Sequence, residues 1–236
     1  MRPFNAVGRL LPRPMALSMV IALMLVALPA GSGRHSAAQS AGGSISVSFG
    51  PSEIFMPPDG FNRSVTDCGP VTVTCVAQAM QESGASAEAI AFYRLTGWML
   101  TDLAGGSPVQ RATIFMPWRA NENSQPALLG GTPAVVLPED EVRTITTESW
   151  RSDPMFASLI ASYPNVMFWG SGPVFEAVDA SPSGGQRFIF DYRMLDGCHA
   201  CATVAFARIA FDFAPDGTYQ STQRLGLIPP SGVAGS

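Results

Sequence analysis

Two neighbouring stretches near the carboxyl end alternate apolar and polar residues almost without a break. In the first, Phe188, Phe190, Tyr192 and Met194 face one way while Arg187, Asp191 and Arg193 face the other. In the second, Ala205, Ala207, Ile209, Phe211 and Phe213 oppose Arg208 and Asp212. A period of two belongs to strands with one face on a core, and half-apolar strands with tight turns pair antiparallel. Pro215-Asp216-Gly217 is a turn signal, so residues 218–227 should return as a hairpin partner. On the opposite, solvated face, Asp191 and Asp212 should meet Arg193 and Arg208 as cross-strand pairs.

Shorter strands are expected over 98–103, 109–116, 134–137, 166–169 and 174–178. Helices are expected earlier, over 75–83 and 87–95, with Ser86 as cap, Glu88 in the first turn and Gly97 as stop. A third helix is expected over 138–150, with Val142, Ile145 and Ser149 on one face. A fourth starts at Asp153-Pro154, where Phe156, Leu159, Ile160 and Tyr163 form one apolar stripe. Helices clustered before the strands imply an α+β fold: an antiparallel sheet of about five to eight strands on a few short helices.

The amino end sets the compartment. Arg2, Arg9 and Arg13 precede a largely apolar stretch from Met15 to Ala30, and small residues follow, including Ser36-Ala37-Ala38. That order reads as a secretory signal peptide over 1–38, too short for a spanning anchor. Next come a flexible Gly/Ser/Pro-rich lead-in over 39–66, with one edge strand at Ile45–Phe49, a single α+β domain over 67–228 and a disordered tail over 229–236. Asn62-Arg63-Ser64 reads as a turn more readily than as a glycosylation acceptor. A periplasmic or secreted location follows.

Cleavage after Ala38 removes four of the fourteen arginines, and the chain has no lysine. Ten arginines then face eighteen acidic residues, a net charge of −8. No basic stripe exists for a nucleic acid, and an anionic membrane surface is disfavoured. Lysine chemistry is excluded. His199 is the sole histidine after residue 38, so any histidine-dependent triad or metal site must use it. No metal and no cofactor are expected.

Cys68, Cys75, Cys198 and Cys201 make an even count, which in an exported chain reads as disulfides. Three pairings are open, with the local one, Cys68 to Cys75 and Cys198 to Cys201, the simplest. Cys198-His199-Ala200-Cys201 also has the form of a redox dithiol, with His199 tuning the sulfurs. Its flanks read as strands joined by a turn, which favours a brace. Trp118, Arg119, Asn121, Glu122, Asn123 and Gln125 combine an aromatic face, a bidentate donor and amides, and form the candidate binding surface. The expectation is a non-enzymatic binding or structural domain with a small-molecule, glycan or protein ligand. Thiol–disulfide exchange through Cys198 and Cys201 is the alternative, and a carboxylate-dependent cell-wall hydrolase is a weaker one.

Overall fold

The computed structural model describes residues 51–61, 65, 67–68, 72–119 and 121–230, which belong to one compact unit. The expected leader, the Ile45–Phe49 strand, Asn62-Arg63-Ser64 and most of the tail lie outside the described residues.

Helix α1 (Val73–Glu82) is capped by Thr72, whose hydroxyl accepts the Cys75 N–H, and Cys68 pairs with Cys75 across its first turn. Helix α2 (Ala87–Thr96) starts on Ser86, which accepts the Ala89 N–H at 3.1 Å, and stops at Gly97 in the left-handed region. Phe55, Phe61 and Val65 are buried against these helices with Met80, Tyr93 and Met99, and Ile54 bridges Leu100. The fold therefore begins at least a dozen residues before the boundary expected at 67, because the lead-in carries aromatics that a core can bury.

In place of one sheet there are two, both antiparallel. The first has the order β1 (Met99–Ala104), β2 (Gln110–Phe115), β3 (Ser124–Leu129) and β4 (Val135–Val136). Strand β3 was not expected, because Pro126 cannot donate to a ladder. The structure tolerates it because β4 reaches only Leu128 and Leu129, leaving Pro126 without a β4 partner.

The second sheet holds β5 (Val166–Phe168), β6 (Val174–Ala180), β7 (Gln186–Asp196), β8 (Thr203–Phe213) and β9 (Tyr219–Ile228). Both β5 and β6 pair with the same edge of β7, end to end, so residues 169–173 bulge from the gap between them. The expected apolar set, Phe188 to Met194 and Ala205 to Phe213, forms the main core with Trp150, Phe156 and Leu159. The side chain of Gln186 stitches the sheets, accepting the Val109 N–H at 2.9 Å and donating to its carbonyl at 3.0 Å.

The opposite face of β7 and β8 is not solvated as expected: Asp191 and Asp212 are buried. Arg208 grips Asp191 in two bonds of 2.7 and 2.8 Å, while Asp212 is held by Arg187 and not by Arg193. Facing register explains it, since Arg187 stands opposite Asp212 and Asp191 opposite Arg208.

The connector between the sheets departs most from expectation. The helix expected over 138–150 ends after one turn, α3 (Pro138–Glu141), and a separate 3-10 turn covers Thr147–Trp150. Thr146 and Ser149 cap each other's backbone there, the competing local bonding that breaks helices. Helix α4 (Phe156–Ser162) buries Phe156 and Leu159, but Tyr163 falls beyond its end and is exposed. Asp153 accepts the Met155 N–H with one carboxylate oxygen and the Leu227 N–H with the other, both at 2.8 Å.

Cys198 and Cys201 pair across the β7–β8 turn, with Cα atoms 5.0 Å apart. Both pairings are local. Among the described residues no helix is long and apolar enough to cross a membrane. Paired cysteines fit an oxidising, extracytoplasmic compartment.

Candidate functional site

The β2–β3 loop closes on itself through the Met116 N–H to the Asn123 carbonyl at 2.7 Å. Within it Glu122 adopts φ 51°, the only non-glycine in the left-handed region among the described residues. That conformation turns its carboxylate towards the second sheet. One oxygen, Oε1, accepts from Trp169 Nε1 at 2.8 Å and from Arg193 Nη2 at 3.4 Å, and lies 3.2 Å from His199 Nε2. The His199 ring stacks on Trp169 with centroids 4.4 Å apart. One side chain thus gathers the 169–173 bulge, strand β7 and the disulfide-closed turn.

A second carboxylate stands beside it. Glu139, in the one-turn helix α3, accepts the Gly172 N–H at 3.1 Å and the Ser171 hydroxyl at 3.4 Å, with Arg119 at 3.9 Å. The Gln125 amide, oriented by this hydrogen-bond network, donates to it at 2.7 Å. Burial pushes the Glu139 carboxyl above the usual glutamate range. The Gly172 N–H and Arg119 oppose that shift, and the neighbouring Glu122 adds to it.

Gly172 separates the two acids. Its φ is +60°, and a methyl on its Cα would lie 3.8 Å from Arg193 Nη2 and 4.0 Å from Glu122 Oε1. Glycine supplies a backbone conformation other residues resist, and the turn presents its N–H to Glu139.

A cleft of about 340 Å³ opens on the Glu139 side. Val142, Ile145 and Phe168 give it apolar walls, and Arg119, Glu139 and Ser171 its polar groups. Such a mixture of apolar wall and few convergent polar groups suits a small ligand.

Of the six loop residues expected to bind, the structure brings Arg119, Glu122 and Gln125 into this cluster. Trp118 is 44% exposed but lies over Gly97 and 6.4 Å from the Tyr93 ring, away from the cleft. Asn121 is exposed, and Asn123 serves the loop through its carbonyl. Reading the sequence missed Glu139, Trp169 and Arg193. The available signal was Trp169-Gly170-Ser171-Gly172, whose glycines mark a tight turn beside an aromatic. Among the described residues no cluster of three or more metal-ligating side chains stands together.

Compared with protein-family models, curated proteins and solved structures, the chain has no match.

Proposed function

We propose that this chain is an exported, non-enzymatic binding domain, released from a leader over 1–38 into the periplasm or the medium. Its ligand is a small polar molecule or glycan fragment seated in the cleft beside Glu139. The observation that carries this reading is convergence: Gln125 and Glu122 from the first sheet, Glu139 from the connector, and Ser171, Gly172 and Arg193 from the second meet beside one cleft. The paired cysteines support the compartment, and the absence of lysine and of a basic stripe argues against nucleic acid.

The test is NMR titration of the exported protein with amino-sugar oligosaccharides and with short peptides. Saturable shifts confined to the amides of 119, 139–145 and 168–172 are expected for one of the two. Glu139→Gln should weaken that binding about tenfold, the loss of one charge-assisted hydrogen bond. Arg143→Ala, an exposed change, checks the cleft without touching the core. Shifts elsewhere, or none with either class, reject the reading.

A second reading, carboxylate-dependent hydrolysis of cell-wall material, is favoured by one contrast. Burial pushes Glu139 up, while Glu122 is surrounded by N–H donors, and acids in such unlike surroundings can divide proton-donor and carboxylate roles. Peptidoglycan turnover abolished by both Glu139→Gln and Glu122→Gln would be required. Exchange chemistry at Cys198 and Cys201 has less support, because the pair lies between two strands and not at a helix start that would stabilise a thiolate.

A further inference from the structure

We infer that the Cys198–Cys201 disulfide is a redox latch: closed, it docks His199 onto Trp169 and Glu122, and reduction by a dithiol releases that contact.

The tip of the β7–β8 hairpin has little else to hold it. Gly197, Cys198, His199 and Ala200 are all exposed. Backbone bonds from Cys201 N–H to the Cys198 carbonyl and from Asp196 N–H to the Ala202 carbonyl, both 3.0 Å, shape the turn. The described contacts of the tip with the cluster are made by one side chain, His199, which stacks on Trp169 and meets Glu122. The His199 side chain is 48% exposed, so its ion pair is weak. A single exposed stack and a weak pair contribute less than ordering four backbone residues costs. The covalent bond removes most of that cost by fixing the turn beforehand, so the docked ring depends on it.

The sulfurs are unequally accessible: Cys198 is exposed and Cys201 half-buried. A thiolate of the dithiol attacks Cys198 Sγ, the Cys198–Cys201 bond breaks, and Cys201 leaves as a thiolate that takes up a proton. The reductant's second sulfur, as a thiolate, then closes on the mixed disulfide and expels Cys198, which is protonated in turn. Two electrons and two protons pass to the protein, and the reductant becomes a disulfide.

Release would leave Glu122 with Trp169 and Arg193 alone, beside the Gly172 turn that feeds Glu139. Any effect on ligand affinity rests on the cleft reading above; the latch itself does not.

The experiment uses the exported protein and dithiothreitol, with no ligand present. In the oxidised protein, cross-relaxation between the His199 and Trp169 ring protons is expected, with His199 protons displaced by the indole ring current. Reduction should abolish the cross-peaks and return the His199 shifts to those of a solvent-exposed histidine. Cys198→Ser/Cys201→Ser should show the released state without reductant, and Cys68→Ser/Cys75→Ser should keep the full response. Persistence of the ring contact in reduced protein overturns the latch. So does a dithiothreitol response that survives in Cys198→Ser/Cys201→Ser, since it would then belong to the other disulfide. Wild-type reduction alone decides the matter if either variant fails to fold.

Discussion

The two sheets carry charge in opposite ways. In the first, Arg111 meets Asp102 at 3.5 Å, and that aspartate side chain is half exposed. In the second, Asp191 and Asp212 are almost wholly buried, each gripped by two guanidinium nitrogens. The second sheet also stacks its rings edge to face, Phe188 on Phe213 and Phe190 on both Phe211 and Phe175. The first packs aliphatic Ala112, Ile114, Ala127 and Leu129. A sheet with such a ring stack on one face and fully paired charges on the other is held in one register from both sides. That makes the second sheet the fixed frame of the site, and the β2–β3 loop of the first the part that reaches towards it.

The contrast can be broken at its strongest point first. Phe190→Ala should lose about 4 kcal/mol by urea unfolding, against about 3 kcal/mol for Ile114→Ala in the first sheet. Equal losses would mean that the ring stack adds nothing beyond buried area. Next, Asp191→Ala should cost about 3 kcal/mol by leaving Arg208 partly buried without its main partner. Asp102→Ala should stay within about 0.5 kcal/mol of wild type, as exposed pairs do. A similar cost for both would show that the buried pair is not special. Ser86→Ala, which removes the cap of α2, should cost about 1 kcal/mol and leave the second sheet's hydrogen-exchange protection untouched.

The smallest effect concerns pH. Glu139 holds its proton more tightly folded than unfolded, so its contribution to stability is greatest in acid, below the usual glutamate range. It declines as pH rises through the higher folded value. Measured by urea unfolding across that range, wild type should lose stability with rising pH relative to Glu139→Gln. The opposite slope would mean that Gly172 and Arg119 outweigh burial.

These differences also mark what could be read from the residues alone. The second sheet was legible because its alternation is unbroken over ten residues and its turn is spelled Pro-Asp-Gly. The first was half legible: Pro126 hid β3, since the rule against proline in ladders says nothing about how far a neighbouring strand extends. The connector misled because Val142 and Ile145 have helical spacing, while Thr146 and Ser149 bond locally and interrupt it. Of the site, Glu122 and Arg119 were visible in a polar loop. Glu139, Trp169 and Arg193 were not, because their meeting depends on how the two sheets join and on β5 and β6 sharing one edge of β7. No local pattern encodes that.

Asp153 ties the start of α4 to β9 with its two oxygens. A polypeptide that emerges amino end first, from a ribosome or a translocation pore, therefore cannot seat this connector until nearly its last residues are free. Shortening the chain before Leu227 would unfasten a segment more than seventy positions upstream, so the molecule's middle is completed by its end.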